Sequence, residues 1–158
     1  MAIFFTGCTH FGHANIIRLA NRPFQSVEQM DEELAQRWNK RVRKNDLVYH
    51  LGDFAWKSAE HFQHRLYGEK VFIRGNHDGR SWGVPYIEWD RRPEPSFVLF
   101  HYPIQEWNGW WRGAIHLHCH THKAELASAP RRFNVGVDAT GFAPISLDEI
   151  LAHPNAAP

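Results

Sequence analysis

Nine residues able to bind a metal ion or transfer a proton follow apolar runs along this chain of 158 residues. Each run is short enough for a buried strand and ends at a small or polar residue. One histidine after a strand is usually an ordinary surface residue, but the same chemistry after five successive runs is hard to obtain by chance. Carboxylate, amide and imidazole donors suit zinc, manganese or iron better than calcium, so the sequence predicts a transition-metal site. The residues are Cys8, His10, Asp53, Asn76, His77, Asp78, His101, His120 and His122.

The amino-acid composition limits the classes of molecule that such a site can bind. Lysine and arginine total 18 against 17 acidic residues, and this balance argues against duplex nucleic acid while leaving a phosphorylated small molecule. No secretory leader is predicted, so the two cysteines are expected to be free thiols or metal ligands. No apolar run approaches the ~20 residues that span a bilayer, so we expect a soluble, cytoplasmic protein without a membrane partner. Nothing in the sequence indicates the oligomeric state.

The elements that position these residues alternate in the first half of the chain. Apolar periodicity and turn residues predict strand, helix, strand, helix, strand, and the first helix has Ser26 and Gln29 spaced as a capping box. Such alternation favours an α/β sheet with its ligands at the carboxyl ends of the strands. The predicted strands lie at 3–6, 46–53 and 70–78, and the predicted helices at 26–42 and 58–68.

The second half of the chain is predicted to be mainly β. Strand-like runs cover residues 97–101, 114–122 and 133–138, and a short helix at 146–151 has Ser146 and Glu149 as its capping box. Alternation along 115–122 predicts His116, His118, His120 and His122 on one side of an extended segment, the first two as buried, hydrogen-bonded residues. The length favours one domain over residues 1–158, with disorder only in the tail 153–158.

These motifs, in their order, resemble the motif set of calcineurin-like metallophosphoesterases, especially the small bacterial and phage-type branch. The matching stretches are Cys-Thr-His, Gly-Asp, Gly-Asn-His-Asp, a single His, Cys-His-Thr-His, and the longer runs THFGHANIIRLANRPF and NVGVDATGFAPISLDEI. The resemblance implies a four-layer α-β-β-α sandwich of two mixed sheets. It also implies a phosphoric ester hydrolase that uses two divalent or mixed-valence transition-metal ions (Zn, Fe or Mn). Phosphodiesters in a small molecule or nucleotide are the favoured substrates, attacked by a hydroxide between the metals.

The resemblance also assigns roles to individual residues. Asp53 would bridge the two metals, because its carboxylate can serve both cations. His77 would support or protonate the leaving group with Asp78 as its partner. His13 and Arg22 would bind substrate, although for Arg22 a salt bridge to a local carboxylate is an equal alternative. The first metal would take Cys8, His10, Asp53 and His122, and the second would take Asp53, Asn76, His101 and His120.

Two cysteines depart from the family pattern. Cys8 stands in place of the usual aspartate, and Cys119 stands in place of glycine. A thiolate keeps the negative charge of the missing carboxylate and would shift the metal preference toward zinc or iron, so Cys8 can be a ligand. The alternatives are a weakened or empty first site and a reversible Cys8–Cys119 disulfide. A degenerate protein that binds a phosphorylated ligand or a single metal without turnover is accordingly the second functional hypothesis.

Overall fold

A computed structural model describes residues 1–90 and 95–157 of the chain. Helices separate the strands over residues 3–72, and strands predominate after residue 72. In chain order the elements are β1 Ile3–Thr6, α1 Ala14–Leu19, α2 Val27–Arg41, β2 Leu47–His50, α3 Ala59–Arg65, β3 Glu69–Phe72, β4 Tyr86–Trp89, β5 Phe97–Phe100, β6 Ile115–His118, β7 Ala127–Ala129, β8 Arg132–Asn134, β9 Ile145–Ser146 and α4 Leu147–Ala152. Two 3-10 turns cover Trp110–Arg112 and Pro154–Ala156.

Two mixed sheets form the centre of the fold. The first has the order β3-β2-β1-β9 with β9 antiparallel, and the second has the order β4-β5-β6-β8-β7 with antiparallel edges. The parallel strands of the first sheet end level, since Thr6 pairs with His50 and His50 pairs with Phe72. The loops that follow β1, β2 and β3 therefore leave the sheet at one edge.

Apolar side chains fill the space between the sheets and the layer outside the first sheet. Phe5, Leu99 and Leu117 are fully buried between the two sheets. Met30 and Trp38 of α2 pack in a second cluster with the outer side of the first sheet. The predicted α/β architecture of two mixed sheets with flanking helices is thus confirmed. None of the helices among residues 1–90 and 95–157 combines the length and apolar character needed to span a bilayer.

The predicted capping boxes and the predicted disordered tail can be compared with the structure. Ser26 caps α2 by accepting from the Gln29 amide, but the Gln29 side chain accepts from Gln25 rather than from Ser26. The predicted box at Ser146 and Glu149 is complete. The prediction of a disordered tail is wrong for residues 154–156, which form a 3-10 turn with Ala156 buried; residue 158 lies outside the described residues.

Two fully buried histidines make the fold sensitive to acid. Burial lowers the pKa of His50 to about 3, and it also lowers the pKa of His116 despite the neighbouring carbonyls of Val98 and Tyr102. An unfolded histidine titrates near ~6.5, so below that pH the unfolded chain binds protons that the folded chain excludes. The contribution of His50 to the free energy of unfolding is therefore complete above this pH. It decreases by about 1.4 kcal/mol for each pH unit as the pH falls toward 3.

We expect the free energy of unfolding of the chelated protein, measured in urea, to drop between pH 7 and pH 5. The His50→Gln variant should show a shallower drop over the same interval, because glutamine cannot take up the proton on unfolding. Equal pH dependence in the two proteins would contradict the assignment of a neutral, buried His50.

Candidate metal centre

The loops after the strands hold most of the ligand-type residues in the left-handed backbone region. The φ angles are 52° at Cys8, 52° at His10, 56° at Asp53, 65° at His120 and 53° at His122. Residues other than glycine rarely adopt this conformation, and it costs about 1–3 kcal/mol each. Backbone bonds help to hold the loops in place, since the Cys8 amide donates to Gly52 at 2.8 Å and the His10 amide donates to the Asp53 carbonyl at 3.0 Å.

The first cluster of donors consists of Cys8, His10 and His122, whose ligand atoms lie within 4.8 Å of one another. Asp138 Oδ2 accepts from His122 Nδ1 at 2.8 Å, which leaves His122 Nε2 free to bind a cation. His10 Nε2 is buried with no hydrogen-bond partner. A buried polar atom without a partner is costly, and a metal ion at this position would satisfy it.

The second cluster consists of Asp53, His101 and His120, again within 4.8 Å. Asn76 Oδ1 joins it, at 2.9 Å from His101 Nε2 and 3.1 Å from His120 Nδ1. His101 Nδ1 donates to the Leu51 carbonyl at 2.7 Å, so Nε2 carries a lone pair toward the cluster. Two imidazoles, a carboxylate and an amide oxygen form a donor set that fits a divalent transition metal.

One oxygen of Asp53 lies between the two clusters. Asp53 Oδ2 is 3.5 Å from His10 Nε2 and 3.4 Å from His101 Nε2, while Oδ1 accepts from the His77 amide at 2.9 Å. Burial opposes ionisation of this carboxyl, but the interactions with His101, His77 and His10 outweigh it and hold the pKa of Asp53 at about 2. The residues present therefore fit two cations that share one carboxylate.

Cys119 lies beside the clusters but is packed as a residue of the hydrophobic core. Its Sγ donates to the Leu51 carbonyl at 3.1 Å and is 3.2 Å from His101 Nδ1. Burial, and then the neighbouring Cys8, raise the pKa of Cys119 well above its usual value, which keeps it a thiol. A β-carbon at Gly7 would lie only 2.6 Å from this sulfur, so glycine there makes room for it. Both cysteines are free in the structure.

Arg22 does not reach the solvent side of the site, so the structure favours the second of its two predicted roles, a salt bridge to a carboxylate, over substrate binding. Its side chain is fully buried, and Asp138 accepts from Nε at 2.9 Å and from Nη2 at 3.0 Å. The remaining N–H groups point at the Thr9 and Cys8 carbonyls and the Met30 sulfur. A guanidinium has five N–H donors, and none is left for a phosphate. Arg22 instead fixes Asp138, which in turn orients His122.

Asp78 also has a structural role, because its carboxylate bonds backbone amides instead of pairing with the His77 ring. Its carboxylate accepts from the backbone amides of Asp53 at 2.7 Å, Phe54 at 3.2 Å and Gly75 at 2.7 Å. These bonds join the loop after β2 to the loop after β3. The His77 ring lies on the exposed side, 5.5 Å from the His10 ring centre.

His13 stands at the mouth of the first cluster. Its Nδ1 is 3.4 Å from His10 Nδ1, and its ring stacks on Trp56 with a centroid distance of 4.5 Å. Burial, followed by the positive charges of His77 and Arg22, lowers the pKa of His13 below 6.5. The lowered pKa favours the neutral form of the ring, which can donate one hydrogen bond and accept another.

The predicted row of four histidines on one side is wrong beyond His118. β6 ends there, and the left-handed backbone at His120 and His122 turns both side chains into the two clusters. His116 Nδ1 donates to the Val98 carbonyl and Nε2 accepts from the Ile104 amide, while the His118 ring bonds Ser128 and the Cys119 carbonyl. Both are buried hydrogen-bonded residues, as their sequence pattern indicates.

Two residues that support the site, Asp138 and His50, were not predicted from the sequence. Asp138 supports His122 and Arg22 but carries no ligand motif of its own, although it follows the apolar run that contains β8. His50 accepts from the Gly52 amide through Nδ1 at 3.3 Å and reaches Thr9 Oγ1 through Nε2 at 3.0 Å. Thr9 then donates to the Phe54 carbonyl at 2.7 Å, so this chain of bonds ties the loop after β1 to the loop after β2.

Comparison with known proteins identifies the class to which this fold and site belong. A sequence model described as calcineurin-like phosphoesterase matches residues 1–138, and the chain belongs to that family. An uncharacterized protein of Methanocaldococcus jannaschii is 38% identical, with 94% of this chain and 89% of that protein covered. The Gene 66 protein of Mycobacterium phage L5 is 29% identical, covering 92% and 90%. A protein of unknown function from Aquifex aeolicus shares the fold, with a TM-score of 0.76, 23% identity and coverage of 94% and 97%.

Proposed function

We propose that this chain is a binuclear metal-dependent phosphodiesterase. The observation that carries the proposal is the position of Asp53 Oδ2, within 3.5 Å of the donor nitrogens of both His10 and His101. A single carboxylate oxygen between two separate donor clusters is the arrangement expected of a bridging ligand. Family membership supports hydrolysis of phosphoric esters as the reaction class.

The proposed ligands divide between two transition-metal ions of the zinc, iron or manganese type. Two such cations activate water as a nucleophile and neutralise the charge that develops on the phosphoryl oxygens. Arg22 and Asp138 hold the His122 ring in the orientation that presents its free nitrogen. The first ion would be held by Cys8, His10, Asp53 and His122, and the second by Asp53, Asn76, His101 and His120.

His77 is the proposed group for the leaving oxygen. Its backbone amide is fixed by Asp53 Oδ1, while its ring stays exposed beside the rings of His10 and His13. A ring held at the edge of the clusters, without being one of the donors, can give a proton to the departing oxygen. Asp78 serves His77 indirectly, because its bonds fix the loop on which His77 stands.

The charge of the site favours diesters over monoesters. A phosphodiester carries one negative charge at neutral pH, whereas a monoester carries nearly two. The Arg22 guanidinium, predicted as a possible substrate-binding group, is buried against Asp138 and does not face the substrate side. Arg22 is then unavailable to neutralise the second negative charge of a monoester, and this favours the diester.

The test is hydrolysis by protein reconstituted with zinc, iron or manganese. We expect release of nitrophenolate from bis(4-nitrophenyl) phosphate, at a higher kcat/KM than from 4-nitrophenyl phosphate. Binding of inorganic phosphate to the fully metallated protein, without hydrolysis of either compound, would instead establish the degenerate, non-catalytic alternative that the Cys8 substitution raises.

Cys8 is proposed to bind the first ion as a thiolate, and cobalt reports this directly. Its Sγ accepts from the His120 amide at 3.1 Å and belongs to the cluster with His10 and His122. The Co(II)-substituted protein should show a sulfur-to-metal charge-transfer band that Cys8→Ala abolishes. The matched control Cys119→Ala should keep the band, because the Cys119 thiol is directed at the Leu51 carbonyl.

Cys8→Asp separates this assignment from its alternatives. A thiolate ligand replaced by a carboxylate should keep activity and shift the metal preference toward manganese. An empty first site would instead show a gain of both metal and rate in Cys8→Asp. A Cys8–Cys119 disulfide would show activity lost on mild oxidation, restored by a thiol reductant, and insensitive to oxidation in Cys119→Ala.

A further inference from the structure

A polar cavity of about 590 Å³ lies beside two of the loops that carry the proposed metal ligands. Pro103, which lines it, is two residues after His101, and Thr121 lines it between His120 and His122. None of the proposed ligands is among the described residues of the lining. Cavities of this volume hold small ligands in many proteins. The polar cavity therefore adjoins the metal centre without being part of it.

Two cationic side chains of the lining have no acidic partner. Lys123 and Arg132 form no ion pair with a carboxylate among residues 1–90 and 95–157. Glu125 is the only acidic residue among the described residues of the lining. The polar cavity thus has an excess of positive charge, which attracts anions.

The guanidinium of Arg132 is partly buried and held in place, but not all of its donors are used. Ser128 accepts from Nε at 3.1 Å through its hydroxyl and from Nη2 at 3.3 Å through its carbonyl, and the Ile104 carbonyl accepts from Nη1 at 3.2 Å. The buried His118 holds the Ser128 hydroxyl in turn, with Nε2 at 2.9 Å from Oγ. Two of the five N–H groups therefore have no acceptor among the described residues, whereas all five are used in Arg22.

We propose that the polar cavity is a binding site for a carboxylate or phosphate group, separate from the metal centre. Arg132 offers its two remaining N–H donors, and Lys123 adds a second positive charge on a flexible side chain. Thr121 Oγ1 accepts from Asn134 Nδ2 at 3.4 Å, so its own hydrogen is available to the anion. The site goes beyond the proposed function, because it needs neither a metal ion nor hydrolysis.

Two sources can supply the anionic group. One is a free anion, and the other is a second acidic group on a substrate whose scissile phosphate lies at the metals. The chemistry that recognises the group is the same in both cases.

Titration calorimetry with inorganic phosphate tests the site with and without metal. We expect the chelated protein to bind one phosphate, and the metal-loaded protein to bind a second one at the centre. Arg132→Gln should weaken binding to the chelated protein by on the order of 10–100-fold, because charge-assisted hydrogen bonds are lost. Lys123→Gln, which leaves the bonds of Arg132 intact, should also weaken it. The matched control Arg18→Gln removes a positive charge from the exposed side of α1 and should bind phosphate as the wild type does.

Absence of phosphate binding to the chelated wild type would overturn the proposal. Equal affinity in the wild type, Arg132→Gln and Lys123→Gln would also overturn it. If the chelated protein binds one phosphate and the metal-loaded protein binds no second one, the cavity site stands and the proposed metal centre fails.

The source of the group is tested by kcat/KM of the metal-loaded protein, in a comparison that rests on the proposed function. Two 4-nitrophenyl phosphodiesters are compared, one with phenyl and one with 4-carboxyphenyl as the second ester group. A substrate group as the source predicts a preference for the carboxylate compound that Arg132→Gln removes. A free anion as the source predicts no such preference, while phosphate binding still depends on Arg132.

Discussion

The Asp53→Asn variant is expected to lose metal from both positions and to lose essentially all hydrolytic activity. The change keeps the size of the side chain but removes the negative charge that lies between His10 and His101. In the proposed centre the two cations would then repel each other with less screening, and both would lose their shared anionic ligand. The loss of rate should exceed the ~10²–10⁴-fold typical of removing a single proton-transfer group.

The measurement is metal content by elemental analysis, together with the rate on bis(4-nitrophenyl) phosphate. Asp46→Asn is a matched control, since Asp46 is also buried but accepts from the Ala2 and Arg43 amides at the start of β2, the opposite end of the sheet. It should keep both metals. Loss of only one metal in Asp53→Asn would show that Asp53 is not the bridge.

The His77→Ala variant should retain its metals and lose about 10²–10⁴-fold in turnover of a diester with a poor leaving group. The His77 side chain stands beside the donor clusters without joining them, and its backbone bond to Asp53 Oδ1 survives the change to alanine. The defect should shrink with a nitrophenolate leaving group, which departs without protonation.

A comparison of alkyl and nitrophenyl diesters therefore isolates the role of His77. His64→Ala provides a control, because His64 is on α3 and belongs to none of the donor clusters among the described residues. Equal losses with good and poor leaving groups would assign His77 to binding or structure. A loss of metal from His77→Ala would assign it to the ligand set instead.

The sequence predicted the amphipathic helix with a polar cap and the buried strands that form uninterrupted apolar runs. Residues 3–6 form β1 as expected, and α2 begins after its Ser26 cap. The helix α1 and the strands β4, β7 and β9 were missed, because each is short and carries neither a capping box nor an uninterrupted apolar run of three residues. These short pieces are fixed by tertiary pairing, such as that of Ile145 with Phe5.

The position of the site was predictable, while its supporting bonds were not. Parallel strands that end level must bring their following loops together, so ligand-type residues after each strand indicated the site. The sequence could predict that Arg22 pairs with a carboxylate, but not which one. The structure shows that this partner is Asp138, 116 residues away. No local pattern marks such a pair. The turn of the chain after His118 likewise depends on a left-handed backbone that strand alternation does not reveal.

The central claim is that Asp53 joins two metal positions in one centre, and metal stoichiometry tests it most directly. Protein purified without chelator and under reducing conditions, then measured by elemental analysis before and after reconstitution, should contain about two ions per chain drawn from zinc, iron, manganese, cobalt and nickel. Two ions per chain in the wild type, falling toward none in Asp53→Asn, is the predicted result. A wild-type protein that holds no ion, or only one, after reconstitution with each of these metals would contradict it.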